Sequence, residues 1–461
     1  MRNPLRRAAG LVAGAGMLVA VAAVTASGAG VAAAANAHAA KIGGSVSMWA
    51  EWTGAEQTQI EKVLSPFEKS TGITVNYAGK GSGTMDTALE AAVKGGAPPD
   101  VALVPDPGTL DTLAGEHAIK PLGSVIGSEE KNYSSAWNNL ATVKGKLYGV
   151  WFKGANKNTV YYNPAVFHAA GIKGTPTTWQ GMLADASALR ASGATPISLC
   201  TDVGWPVADL WQNLYLKING AKDYNALALH HISWLSPTVT KTFDVMNQLM
   251  SQPSDLLGGT QGALSETYPE CVDKVFPRAG SQPQAAMVIE ADFVTTEILA
   301  NSTKYFAGTT GKGGAKCTAS VSQTPCYDTF PFPAPAGDQG NDTAIQGAGD
   351  VAMLLNSTPQ AKALIKYLAS PDSAAIWAKL GGFASPNNKV PLSDYPDTVS
   401  RADAKQLVDA KAFVFSLDDL QGSWEKDLWT DMLADVKNPT SAEVKSLEHT
   451  MQHSATVALG H

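Results

Sequence analysis

The sequence predicts an α/β fold with mainly parallel sheets. First, short apolar runs of strand length alternate with segments of helical spacing from residue 45 onward. Second, a later region repeats the same α/β character. Third, 44% of the 461 residues are hydrophobic and only 16% charged, which fits a folded globular chain and not a disordered one. A chain of this length is too long for one ordinary core and suits two or three domains.

The opening strand is SVSMWA, followed by a turn at Thr53-Gly54 and a helix from Glu56 to Ser70. ITVNYAG reads as the second strand, and TMDTALEAAVKGG as a helix closed by glycines. PPDVALVPDPG is a third strand with a polar exit. This strand–helix rhythm implies right-handed βαβ units. KLYGVWFKG and TVYYNP lead into the second region, where TPISLC and AAMVIEAD are strands. Helices are expected there near 178–192, 207–219 and 238–250. FPFPAPAGDQGN reads as an extended crossing segment, and DVAMLLN as a strand that begins at Asp350. One or two amphipathic helices follow, and residues 403–457 are mostly helical by spacing. No repeat of domain-array length is visible.

The first 39 residues read as an export signal. Arg2, Arg6 and Arg7 form a basic leader, Ala8 to Val24 is apolar, and Ala37-His38-Ala39 offers a cleavage site. The reading competes with a buried alanine-rich helix, and the charged flank and small-residue exit favour processing. It places the protein outside the cytoplasm. Net charge is −7, from 34 basic and 41 acidic residues scattered in both signs. Nucleic acid and anionic membranes need concentrated Lys and Arg, so neither is expected as a partner. Beyond the leader no apolar run reaches membrane-spanning length.

Four cysteines in an oxidising compartment suggest two disulfides. Cys317 and Cys326 lie close together in a loop that a bridge would close, which leaves Cys200 with Cys271 by default. A metal reading fails for want of a C-x-x-C or a histidine pair beside them, and His449 with His453 lacks a third ligand. No cofactor is expected. GTTGKGG lacks the first glycine and the Ser/Thr of a phosphate loop, and GAGDVA precedes a strand instead of following one. No nucleophile elbow or zinc-protease motif is present.

Several strings together resemble the extracellular solute-binding proteins of bacterial ABC sugar importers, the group that includes maltose-binding protein. They are WAEWTGAE, PPDVALVPDPG, GVWFKGANKNTVYYNP, GWPVADLW, AMVIEADF, QGAGDVAML and LGGFASPNN, and the likeness covers nearly all of residues 41–461. They look like the branch that binds α-glucosides and other oligosaccharides. The resemblance implies two α/β lobes with the ligand cleft between them, closing like a hinged clamp. Carried over, one lobe is 41–153 plus 341–385, the other 156–330 plus 386–461, with a hinge crossing at 331–340. It also implies a monomer that binds an oligosaccharide and docks on the membrane permease subunits. The stretch HAAKIGG has no lipobox cysteine, which leaves the means of retention at the cell surface open.

In open α/β sheets ligands sit outside the carboxyl ends of strands. A neutral sugar needs carboxylates or amides to bridge hydroxyls and aromatic faces to stack on its C–H face. Glu51 and Trp52 supply both past the end of the first strand, whereas Trp49 lies inside it. Asp106 is either a helix N-cap or a ligand acceptor. Lys153 sits at the expected crossing, and Trp205, at a helix start before Pro206, is a stacking platform on the strength of the resemblance. Of Glu290 and Asp292, one binds hydroxyls and the other caps the next helix. Asp350 is kept on the resemblance. Asp418 and Asp419 read as a cap, and Trp424 and Trp429 as core. The competing readings are a glycoside hydrolase using a pair such as Glu51 with Glu290, and a glycan-binding surface protein.

Overall fold

The computed structural model describes residues 41–278, 280–308, 326–338, 343–410, 412–421 and 424–459. The expected export signal, the GTTGKGG loop beyond Gly308, and Cys317 with its expected bridge to Cys326 lie outside these residues. Among the described residues no helix is long and apolar enough to cross a membrane.

Among the described residues thirteen strands run in chain order: β1 (Ser45–Ala50), β2 (Thr74–Gly79), β3 (Val101–Val104), β4 (Thr142–Val143), β5 (Lys146–Leu147), β6 (Gly149–Asn156), β7 (Thr159–Tyr162), β8 (Ile197–Ser198), β9 (Met287–Ile289), β10 (Phe306–Ala307), β11 (Cys326–Pro331), β12 (Ala344–Leu354) and β13 (Ala412–Phe415). They form two principal sheets. The first is ordered β13-β12-β3-β1-β2 with β6 also paired to β12, and the second β10-β11-β7-β9-β8. Strands β1, β2 and β3 are parallel, as the βαβ rhythm predicts. The strands that pass between the sheets depart from it: β12 is antiparallel to both β3 and β6, and β7 to both β9 and β11. A strand arriving from the other sheet is free of the crossover-helix constraint that keeps βαβ neighbours parallel.

Each sheet carries its own core. One gathers Met48, Leu103, Trp151 and Trp377, the other Trp179, Trp211, Trp234 and Met432. The helix Gly54–Thr71 shows how the sequence builds the first. Ile60, Val63, Leu64 and Phe67 repeat at three- and four-residue spacing and are buried against the sheet, and Gly72, at φ 71°, ends the helix. In the second core the helix Trp205–Ala228 is buried along most of its length and breaks at Gly220.

Two passages between the sheets run side by side. Lys157 and Asn158 join β6 to β7; Lys157 N donates to Gln346 O at 3.0 Å and Phe332 N to Asn158 O at 2.9 Å. Past β11, Trp179 N donates to Ala334 O at 2.9 Å, so this part of the proline-rich segment rests on the second half. The sequence reading misses β13 and starts β12 six residues late, because alternating Ala and Gly in AIQGAGD carry no strand signature. Asp350 is therefore inside a strand, at a bulge between Asp350 and Val351.

Candidate ligand-binding cleft

Residues that follow β1, β3 and β9, together with residues within β6 and β12, line a cleft with about 710 Å³ of empty space. From the first half come Glu51, Glu56, Asp86, Lys153 and Asp350; from the second, Lys157, Trp205, Tyr268, Phe293, Asp419, Glu425 and Trp429. Strand alternation explains part of the set. Lys153 and Ala155 project on one side of β6, and Lys157 continues the same two-residue step just past its end. Asp350 is the register partner of Lys153 across the β12–β6 ladder. Beside them Gly349 is obligatory, since a Cβ there would lie 2.6 Å from Lys153 O.

Trp205 opens its helix directly after Gly204, whose φ of 95° and close approach to Trp429 (2.7 Å from a would-be Cβ to Trp429 O) exclude any side chain. The Trp205 ring meets Tyr268 at 5.9 Å and Phe293 at 6.1 Å, both edge-on. Trp429 completes the aromatic wall, its indole N–H donating to Asp418 Oδ2 at 2.8 Å.

The two lysines are already committed. Lys153 pairs with Glu56, and its Nζ lies 5.2–5.5 Å from the rings of Trp377, Phe293 and Trp52. Lys157 pairs with Asp209 at 2.8 Å and reaches Asp419 at 3.8 Å. Burial alone would lower both ammonium groups, but these carboxylates outweigh it and raise them. The acids are the strained side. Burial, reinforced by Glu56 and countered by Lys153, lifts Asp350 to about 7. Burial and the neighbouring Asp350 hold Glu51 well above the usual range. Burial next to Asp106 and Asp86 lifts Glu425 to about 12.

Of the expected site residues, the structure brings Glu51, Lys153, Trp205 and Asp350 together on the cleft. Three others lie elsewhere. Trp52 is 1% exposed, packed 4.9 Å from Trp377 and 6.0 Å from Phe152, so it offers no face to a ligand. Asp106 is the N-cap of the helix Pro107–Gly115, with Oδ1 accepting from Gly108 N at 2.7 Å and Oδ2 from Thr109 Oγ1 at 3.0 Å. Glu290 is buried behind the wall, where Oε2 accepts from Ala291 N at 3.2 Å. Nor does Asp292 cap a helix; its Oδ1 accepts from Asn156 N at 3.2 Å. Trp49 faces Lys80, 3.6 Å from its ring, and not the cleft.

Three residues read as structural turn out to line the cleft or support it. Asp419 and Trp429 line it, and Asp418 anchors Trp429 and accepts from Gln212 Nε2 at 2.8 Å. Trp424 is core, as expected. Residues missed altogether include Glu56, Asp86, Tyr268, Phe293 and Glu425. Cys200 and Cys271 form a disulfide that ties the end of β8 to the segment after Tyr268. His449 and His453 are exposed on the helix Ser441–Leu459, and among the described residues no cluster of metal ligands is present.

The family of bacterial extracellular solute-binding proteins matches residues 49–256. The osmoprotective compounds-binding protein GgtB of Synechocystis is 30% identical over 373 residues, which cover 80% of this chain and 82% of that protein. This chain belongs to the bacterial extracellular solute-binding proteins. A second member, the alpha-glucosides-binding periplasmic protein AglE of Rhizobium meliloti, is 24% identical over 87% of this chain and 85% of its own length. Among solved structures, the bacterial solute receptor AcbH superposes with a TM-score of 0.76 at 19% identity, covering 90% of this chain and 99% of the receptor. A chitin oligosaccharide binding protein follows at 0.74 and 21%, with coverage of 90% and 99%. The two-lobed architecture is thus the one these receptors share. Relatives and neighbours alike are named as binding proteins, and this solute-binding protein is a receptor, not an enzyme.

Proposed function

We propose that the protein binds a neutral sugar outside the cytoplasm, an oligosaccharide such as an α-glucoside, and presents it to the permease subunits of an ABC importer. The observation that carries this is the opposition, in one cleft, of an aromatic wall (Trp205, Tyr268, Phe293, Trp429) and carboxylates (Glu51, Asp350, Asp419). Aromatic faces suit the C–H side of a pyranose, and carboxylates accept from its hydroxyls. AglE, named for α-glucosides, supports a glycoside as ligand, and GgtB is named for osmoprotective compounds. Lobes of 41–153 plus 341–385 and 156–330 plus 386–461 are the division we propose, except that β13 with Tyr395, Ala404 and Phe415 joins the first sheet and core, and closing around the ligand would create the docking surface. Glu51, Lys153, Trp205 and Asp350 are the contacts we assign to the sugar.

The test is a titration of intrinsic tryptophan fluorescence with maltose, trehalose, sucrose, cellobiose, xylose oligomers and polyols. The reading predicts a saturable change for at least one. No change with any of them rejects it. Incubating the same panel and finding cleaved products would favour a hydrolase instead.

A further inference from the structure

The cleft has acceptors in excess and no cation to spare. Six carboxylates line it (Glu51, Glu56, Asp86, Asp350, Asp419, Glu425) against two ammonium groups, Lys153 and Lys157. Both lysines hold carboxylate partners inside the wall, Glu56 and Asp209. Two wall oxygens have no hydrogen-bond donor, Asp350 Oδ1 and Asp86 Oδ1, and Asp419 Oδ2 has only the Lys157 ammonium at 3.8 Å. Asp350 and Asp419 are 5% and 6% exposed, so bulk water does little for them. An ionised carboxylate can only accept, and an unpaired buried acceptor is satisfied by a donor or by taking up a proton.

We infer that this cleft selects its sugar by charge: it takes ligands that offer hydroxyl or ammonium donors and rejects the same sugar once it carries a carboxylate or phosphate. The residues that set this selectivity are Asp350, whose Oδ1 lines the cleft without a donor, and Glu56, which neutralises the Lys153 ammonium. The surroundings that already hold the carboxyls of Glu51 and Asp350 above their ordinary range disfavour one more negative charge, so an anionic ligand would bring acceptor-only oxygens into a cleft whose two ammonium groups are already paired. The inference rests on the sugar reading of the same cleft and adds the class of sugar.

The experiment uses three-member series built on trehalose, maltose and sucrose, in which one primary alcohol is left as it is, oxidised to the carboxylate, or replaced by an amine. Affinities are measured by calorimetry on the intact protein at neutral pH. For the parent that binds, the carboxylate should be weaker by roughly tenfold or more, and the amine equal or tighter. A carboxylate bound within about twofold of its parent overturns the inference and leaves the sugar reading standing. If none of the neutral parents binds, the sugar reading falls and this inference with it. Glu56→Gln, which frees the Lys153 ammonium, should narrow the gap between parent and carboxylate, and so should Asp350→Asn. Melting curves of both variants establish that they fold, and either suffices. A gap unchanged in a folded variant would make the rejection steric and overturn the charge argument.

Discussion

Trp205 and Trp52 show how the same side chain divides between site and core. Trp205 stands at a helix start, 9% exposed and within the cleft wall, whereas Trp52 sits between Trp377 and Phe152 with 1% exposed. Trp205→Ala should weaken sugar binding by about 1–3 kcal/mol, read by calorimetry. Trp52→Ala should instead lower unfolding stability by about 3–5 kcal/mol in denaturant melts, since it empties a packed aromatic cluster. The reverse assignment of the two effects would contradict the placement. In the sequence both residues follow a strand or a glycine and look alike; what separates them is the packing of Trp377, which lies more than 300 residues from Trp52 and leaves no local trace. Lys157 was missed, although the two-residue step from Lys153 through Ala155 points to it. Glu56 and Glu425 were missed as well, since each reads as an acid in the first turn of a helix.

At the scale of elements, the parallel strands β1, β2 and β3 were plain in the alternation of strand and helix, and the helix faces in their three- and four-residue spacing. Strand β12 was half hidden. Gly347 and Gly349 in its first half are small because β13 and β6 crowd them, a Cβ on Gly347 lying 2.4 Å from the Phe413 ring and one on Gly349 2.6 Å from Lys153 O. Small residues chosen for close approach look like a loop in one dimension. The Cys200–Cys271 bridge, with a sequence separation of 71, closes the segment that carries Tyr268 into the cleft wall. In the chain-entropy account its loss costs about 2–5 kcal/mol. The paired Cys200→Ser and Cys271→Ser variant should therefore melt at a lower temperature than the parent protein, and an unchanged melting temperature would contradict this.

The two halves meet through acids. Glu425 opens a helix packed with the second core, and its carboxyl lies close enough to Asp106, the cap of a helix in the first, for the two to repel. Two buried carboxylates this close disfavour each other's charge, which raises the range over which they keep a proton. Burial, then Asp106 and Asp86, raise Glu425 to about 12; Asp419 and Asp418 add to this, and burial likewise raises Asp106. Lys426, which reaches Thr87 across the cleft, and Lys157 are the nearby cations. For a carboxyl raised on closing, the closed form binds the extra proton between the ordinary value and the raised one. Its stability is whole below the ordinary value and falls as pH rises above it. Sugar affinity should then decline from about pH 5 to about pH 8, and Glu425→Gln should flatten the profile. A wild-type profile rising with pH would contradict the raised Glu425 carboxyl.

The sugar-binding reading itself is tested most directly by melting the intact protein with saturating maltose, trehalose, sucrose, cellobiose, xylose oligomers or polyols. A ligand at a hundred times its dissociation constant adds about 2.7 kcal/mol to the folded state, so at least one sugar should raise the melting temperature by several degrees. A melting temperature unmoved by every member of that panel would contradict the account.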